Sequence, residues 1–139
     1  MLFMAAPRVE MAIAANAGSY TLPVYPAGSQ AAFPWSLDPG IVSEERLRNV
    51  FGRRLVVMLG ERDIDPNHAS LPRGPQAMAQ GRFRLERGQN FYRLARDQAA
   101  VLKTPFNWKL VTVPGVAHSD IGMARVAVKY LMEGGPANP

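Results

Sequence analysis

Three short apolar runs lie along the chain, and each is followed, after a break, by a segment with the signals of a helix. The runs are Val9 to Ala15, Arg54 to Leu59 and Lys109 to Val113. The middle run is apolar without alternation, a pattern typical of a strand that is buried on both faces. We therefore predict three β-strands.

Three helices are predicted to follow these strands. Ser43, with two glutamates after it, is an N-cap that starts a short helix ending near Phe51. Apolar residues at helical spacing predict a second helix from about Gln89 to Lys103. Further apolar positions from Met123 to Leu131 predict a last helix that ends at Gly134 and Gly135.

The alternation of strands and helices indicates the fold class. It predicts an α/β fold with a small parallel sheet of about three strands and flanking helices. We expect one domain over residues 1–139, with long loops at 20–42, where four prolines interrupt the chain, and at 64–88. Because all three strands have the composition of central strands, one sheet edge is expected to need cover from a further strand or a partner.

The composition narrows the class of protein. With 47% hydrophobic and 19% charged residues, the chain fits a globular domain and not a disordered tail, a coiled coil or a membrane protein. It has no cysteine, which removes disulfides, thiolate metal sites and cysteine nucleophiles. It also lacks close-set metal ligands and a phosphate-binding glycine loop, so we expect neither a metal nor a cofactor. No basic segment precedes the apolar start, so we expect no signal peptide and a cytoplasmic location.

The net charge of +5 comes with a local cluster of arginines. Five lie within fifteen residues, with aromatic residues nearby: Arg82, Arg84, Arg87, Arg93 and Arg96. Such a cluster is found in proteins that contact nucleic acids. Acidic residues interleave with it and no nucleic-acid-binding motif accompanies it. We therefore favour the solvated face of a helix and expect no nucleic-acid partner.

Asp63 and His118 are the candidate catalytic residues. Each follows the end of a predicted strand, the second and the third respectively, and parallel strands bring their carboxyl ends to one sheet edge. The carboxylate and the imidazole are therefore expected to lie close together, an arrangement that serves to deprotonate a nucleophilic hydroxyl. Asp65 is an alternative for the acid, or it starts the turn at Pro66. His68 is expected at the surface.

Two segments resemble a known family. Leu55 to Asp63 (LVVMLGERD) and Val111 to His118 (VTVPGVAH) resemble the acid-bearing and histidine-bearing segments of α/β-hydrolases, in the same order along the chain. The segment Ala15-Asn16-Ala17-Gly18 and the spacing of the blocks are most similar to those of serine esterases and polyester depolymerases. The resemblance implies the later half of an α/β-hydrolase fold and hydrolysis of a small-molecule carboxylic ester by the complete protein. It also implies roles as acid and general base for Asp63 and His118.

The serine that such an enzyme needs has no counterpart in the chain. In α/β-hydrolases a serine in a G-x-S-x-G turn precedes the acid and the histidine, and no such motif occurs here. Ser29 lies between prolines, and Ser19 is soon followed by Pro23, which excludes the helix that the turn needs. We expect a carboxy-terminal part of a hydrolase that is nearly inactive alone. The alternative is a non-catalytic module that self-associates or binds a partner at its sheet edge.

Overall fold

The structure is a computed structural model that describes residues 9–25 and 33–132. Within these ranges strands and helices alternate, except that two helices follow each other between the second and third strands. The elements are β1 (Met11–Ala15), α1 (Glu44–Phe51), β2 (Arg54–Gly60), α2 (Pro75–Met78), α3 (Arg84–Val101), β3 (Trp108–Val113) and α4 (Asp120–Met132). The predicted α/β fold is confirmed.

The three strands form a parallel sheet in the order β1-β2-β3, so β2 lies in the centre. In the register of the sheet, Val57 of β2 lies between Ala14 of β1 and Leu110 of β3. The residues of β2 are buried from Leu55 to Gly60. Both faces of the central strand are covered by helices, which explains why its sequence shows no polar alternation.

The two faces of the sheet enter separate hydrophobic cores. The odd-numbered side chains from β2 pack with α1 and α3, in a core that includes Phe51, Phe91 and Trp108. The even-numbered ones pack with α4, whose buried contact is Met123. Burying a side chain as large as Phe51 contributes about 1.5–3 kcal/mol. The sheet is thus the middle of three layers, with all strand carboxyl ends at one edge.

Helix α3 begins at Arg84 rather than near Gln89. Its first turns bury Arg84 and Arg87 instead of apolar side chains, so helical spacing of apolar residues is not visible there. The carboxylate of Glu86 accepts the backbone N–H of Arg82 at 2.6 Å. This contact satisfies a donor at the helix start, where a negative charge is also favoured by the helix dipole.

The loop predicted at 64–88 is wrong in its second half. Helix α2 and the first residues of α3 lie there. Helix α2 is a single turn that starts at Pro75 and buries Ala77, a position where the missing proline N–H costs nothing. A helix of this length is too short to show a repeat of apolar positions.

The other predicted loop, at 20–42, has no helix or strand among its described residues. Two tyrosines hold it in place, Tyr25 by a hydrogen bond within the loop and Tyr20 by a ring contact with α3. The hydroxyl of Tyr25 donates to the carbonyl of Val42 at 2.7 Å. The ring of Tyr20 stacks on Phe91 with centroids 4.3 Å apart. The loop therefore covers the core on the α3 side.

Two sequence predictions concern residues outside the described ranges, namely the serine turn at Ser29 and the helix end at Gly134 and Gly135. Helix α4 is described as far as Met132. None of the helices in the described ranges combines the length and the apolar character that crossing a membrane requires.

Candidate active site

Asp63 and His118 meet at the carboxyl edge of the sheet. Nδ1 of His118 lies 3.0 Å from Oδ2 of Asp63, which is a hydrogen-bond distance. The Asp63 side chain is only 2% exposed, whereas that of His118 is 29% exposed. The buried carboxylate thus holds one ring nitrogen, and the ring itself remains accessible.

Backbone hydrogen bonds join the two segments that carry these residues. Directly after β2, the N–H of Glu61 donates to the carbonyl of Val113 at 3.0 Å, and the N–H of Arg62 donates to that of Val116 at 2.8 Å. Gly60 permits this close approach, since a Cβ there would lie 2.6 Å from the carbonyl oxygen of Val116. The acid and the histidine are therefore placed by strand ends that are tied to each other.

Asn16 connects the end of β1 to both segments, a role that its sequence context does not predict. Its Oδ1 accepts the N–H of Gly60 at 2.7 Å, and its Nδ2 donates to the carbonyl of Ala117 at 3.1 Å. Asn16 is buried and has a φ of 44°, a conformation that asparagine tolerates better than most residues. The only sequence signal is an asparagine directly after a predicted strand, which an ordinary turn would also show.

The carboxylate of Asp63 has a second charged neighbour. Its Oδ1 lies 3.6 Å from Nη1 of Arg84, and both side chains are almost fully buried. The backbone carbonyl of Asp63 accepts the N–H of Leu85 at 3.2 Å. Asp63 is therefore fixed at the start of α3, with a histidine next to one carboxylate oxygen and an arginine next to the other.

Asp65 lies in an exposed turn, whereas the ring of His68 contacts that of His118. Asp65 is exposed, and its Oδ1 accepts the N–H of Asn67 at 2.8 Å, which is typical of a turn. His68, expected at the surface, is partly buried and packs against His118 with ring centroids 4.9 Å apart. His68 therefore lies only partly at the surface, because the turn after Asp65 brings the chain back to the histidine loop.

Burial changes the titration of two groups near the site. It raises the pKa of Tyr20, and the negative charge of Asp63 adds to the effect. Burial also lowers the pKa of Arg87, and the neighbouring charge of Arg84 acts in the same direction. Tyr20 is therefore neutral over the ordinary pH range and adds no charge beside Asp63.

A cavity of about 410 Å³ opens beside the histidine. Its wall includes Asn16 and His118 and continues over apolar side chains of β1 and α4, such as Ile13 and Met123. Because β1 is an edge strand, this cavity lies along the open side of the sheet. A cavity of about 440 Å³ lies at the amino ends of the strands, around Trp108, and is remote from the acid and the histidine.

The arginines of the predicted solvated helix face do not share one surface. Arg82 and Arg93 are exposed and form ion pairs with acidic residues four positions further along the chain. Arg84 and Arg87 are buried, so the prediction is wrong for these two. The guanidinium of Arg87 donates to main-chain carbonyls of loops that fold over the start of α3, an enclosure that no local pattern reveals.

Two serine hydroxyls near His118 are held by other partners. Oγ of Ser119 accepts the N–H of Gly122 at 3.2 Å, at the start of α4. Oγ of Ser70 accepts from Nη2 of Arg84 at 2.9 Å. Both hydroxyls therefore serve the structure around the histidine.

The chain is similar to two solved structures of hydrolases. One is LpqC, a poly(3-hydroxybutyrate) depolymerase from Bordetella parapertussis, with 30% identity and a TM-score of 0.80 over 92% of this chain and 42% of that one. The other is poly(aspartic acid) hydrolase-1 from Sphingomonas sp. KT-1, with 40% identity and a TM-score of 0.80 over 88% of this chain and 45% of that one. This chain thus spans less than half the length of either neighbour. No protein-family model and no curated protein matches it.

Proposed function

We propose that this chain, which has the later part of an α/β-hydrolase fold, contributes the acid and the general base of a serine hydrolase that cleaves carboxylic esters. The observation that carries the proposal is the 3.0 Å contact between Nδ1 of His118 and the buried carboxylate of Asp63. The position of this pair at the carboxyl edge of a parallel sheet supports it, because this is where such folds bind ligands. The two similar structures, by name a poly(3-hydroxybutyrate) depolymerase and a poly(aspartic acid) hydrolase, support hydrolysis of a carboxylic acid derivative.

In this proposal Asp63 sets the tautomer of His118. An ionised carboxylate only accepts hydrogen bonds, so Nδ1 carries the proton and Nε2 carries the lone pair. Nε2 takes the proton of a serine hydroxyl as the serine oxygen attacks the ester carbonyl, and it then protonates the leaving alcohol. In the second half, Nε2 deprotonates a water molecule that attacks the acyl-serine. It then returns this proton to the serine oxygen as the bond to the acyl carbon breaks and the carboxylic acid leaves. Asp63 stabilises the imidazolium that forms in each half.

The nucleophilic serine is supplied by a segment with a G-x-S-x-G turn, a motif that does not occur in these residues. A strand added in parallel to β1 would end at the same sheet edge, beside Asn16 and His118. A turn after that strand would bring a serine to the cavity that His118 lines. We propose that a preceding part of the polypeptide, or a second chain, provides this strand together with the oxyanion-hole donors.

The test is to read the coding DNA upstream of Met1 in frame and to express the continuous polypeptide that it encodes. If that polypeptide contains the serine turn, we expect it to hydrolyse short-chain esters and His118→Ala to abolish the reaction. An unchanged rate in His118→Ala would refute the proposal. A stop codon directly before Met1 would refute the single-chain form of the mechanism.

A second candidate function is association of two copies of this chain at the edge of β1. Asn16 donates its N–H to the carbonyl of Met58. Alternate residues of a strand in a parallel sheet direct their backbone groups to opposite sides. Because the N–H of Asn16 points to β2, the backbone groups of Ala15 and Ile13 point away from β2. Apolar residues of α4, such as Leu131, are exposed next to this edge. Pairing of two such edges would satisfy the backbone groups and bury apolar area.

A further inference from the structure

Arg84 is a fully buried arginine whose guanidinium is only partly used by hydrogen bonds. Its Nη2 donates to Oγ of Ser70 at 2.9 Å. Its Nε and Nη1 are buried without a hydrogen-bond partner in the part of the chain that the structure describes, and Nη1 lies 3.6 Å from Oδ1 of Asp63. Buried N–H groups without partners cost free energy. The position of this guanidinium therefore needs an explanation other than loop packing.

Arg87 provides a comparison, because it lies one turn further along the same helix and is equally buried. Its guanidinium donates to the main-chain carbonyls of Gly18, Pro72 and Gly81. These contacts fasten loops to α3. Arg84 differs, because it donates to a single hydroxyl and directs its remaining charge at a carboxylate.

Arg84 is connected to His118 by two routes, one through Ser70 and His68 and the other through Asp63. Oγ of Ser70 lies 3.1 Å from Nδ1 of His68, and the N–H of Ser70 donates to the same nitrogen at 3.3 Å. Nδ1 of His68 is therefore an acceptor, and the Ser70 hydroxyl donates its hydrogen to it. The ring of His68 packs edge to face on the ring of His118. His118 is bound by Asp63, which in turn faces Arg84.

We infer that Arg84 is a positioning residue for the pair formed by Asp63 and His118, an inference that rests on the proposed function. Arg84 pairs with the carboxylate oxygen that His118 does not use, so the carboxylate is held from both sides. Its positive charge compensates the buried negative charge. Through Ser70, Arg84 also fixes His68 against the imidazole of His118. The orientation of the His118 ring is thereby set by two contacts, that of Asp63 at Nδ1 and that of His68 on the ring.

This positioning has a kinetic consequence. A general base acts only when its nitrogen lies in line with the hydroxyl proton, and small displacements cost about 10²-fold in rate. Arg84 is buried behind Asp63 and does not line the cavity beside His118. Its replacement is therefore expected to lower kcat and to leave KM unchanged.

The Nδ1 proton of His118 reports the bond to Asp63 directly, as a low-field NMR resonance whose exchange with water measures how firmly the bond is held. In the 139-residue chain, Arg84→Lys keeps the charge but loses the planar fork, and we expect it to speed this exchange roughly tenfold. The matched control is Arg87→Lys, which should lower the unfolding temperature without changing the resonance. An unchanged resonance in Arg84→Lys, or the same change in Arg87→Lys, would overturn the inference.

Ser70→Ala serves as a second variant in case a substitution at the buried Arg84 prevents folding. Ser70 is exposed, and its hydroxyl links Arg84 to His68. We expect the variant to shift the ring resonances of both His68 and His118 in a chain that still folds, with a lower unfolding temperature because Nη2 of the buried Arg84 loses its acceptor. If both sets of ring resonances are the same as in the parent, the inference is wrong.

The NMR experiment needs no ester, so failure of the inference and failure of the proposed function can be told apart. If the longer polypeptide hydrolyses no ester but Arg84→Lys still frees the His118 proton, the proposed function fails and the positioning role stands. If His118→Ala abolishes ester hydrolysis but Arg84→Lys leaves both kcat and the resonance unchanged, only the positioning role fails.

Discussion

Asn16 accepts the backbone N–H of Gly60 at 2.7 Å, although the two residues are 44 positions apart, one directly after β1 and the other at the end of β2. The same side chain donates to the carbonyl of Ala117, the residue before His118. One amide therefore spans the three segments that form the candidate site. Asn16 has no proposed chemical role, yet the position of the histidine loop depends on it.

Asn16→Ala is expected to lower the free energy of unfolding by about 1–3 kcal/mol, because it leaves the buried N–H of Gly60 without its acceptor. Denaturation in urea measures the change. The control is Asn67→Ala, an exposed position where the change should stay within about 0.5 kcal/mol. Equal effects in the two variants would show that the bridge from Asn16 does not stabilise the fold.

Gly60→Ala is expected to disturb the histidine loop. The new Cβ would lie 2.6 Å from the carbonyl oxygen of Val116 and 2.8 Å from that of Ala117, and backbone atoms cannot move aside cheaply. We expect a loss of about 1–3 kcal/mol in the free energy of unfolding. Gly52→Ala is the matched control, because a Cβ there meets no atom closer than 3.6 Å. A tolerated Gly60→Ala would contradict the tight packing of the loop on β2.

Asp63→Asn and Asp65→Asn separate the two candidates for the acid. Asparagine at position 63 favours the wrong tautomer of His118. In the longer polypeptide it should therefore lower kcat for ester hydrolysis by on the order of 10³- to 10⁴-fold. Asp65 contacts Asn67 in an exposed turn, so Asp65→Asn should leave kcat near that of the parent. The reverse order of the two rates would assign the acid to Asp65.

Glu86→Gln is expected to destabilise the chain at neutral pH but not in acid. The N–H of Arg82 is the main cause that lowers the pKa of Glu86 below its usual 4.5. The folded state thus favours the charged form. The charge of Glu86 therefore stabilises the folded state fully above about pH 4.5. This contribution is lost as the pH falls through the lowered pKa of the folded state.

Unfolding of Glu86→Gln and of the parent chain, measured at neutral pH and well below pH 4.5, checks this expectation. The difference in free energy of unfolding between the two should vanish in acid. Glu10→Gln, at an exposed residue before β1, is the control and should show no such trend. A pH-independent difference at Glu86 would mean that its charge does not act on the start of α3.

Ala15→Pro tests association at the edge of β1. The backbone N–H of Ala15 points away from β2, so proline at this position removes a donor for edge pairing and keeps the β1–β2 hydrogen bonds. If two copies pair at this edge, light scattering should show a dimer for the parent chain and a monomer for the variant, with His118→Ala still dimeric. A monomeric parent chain, or a dimeric Ala15→Pro, would exclude this mode of association.

Much of the fold follows from local properties of the sequence. The unbroken apolar run from Arg54 to Leu59 identifies a strand buried on both faces, and Ser43 with its two glutamates identifies the start of α1, where Oγ of Ser43 accepts the N–H of Arg46. Periodicity and capping act over a few residues, so they are visible without the tertiary structure. Even the closeness of Asp63 and His118 follows from this level, because parallel strands bring their carboxyl ends together.

The sequence by itself thus determined the layers of this protein and the edge at which its acid and histidine lie. The tertiary structure alone decided which polar side chains complete the site. Asn16, His68 and Arg84 reach it through contacts between residues that are distant in the sequence. The sequence does not distinguish a buried arginine from an exposed one, and its periodicity does not show which loop folds over which helix. For the same reason the first turns of α3 were not predicted, since buried arginines occupy positions where a helix normally shows apolar residues.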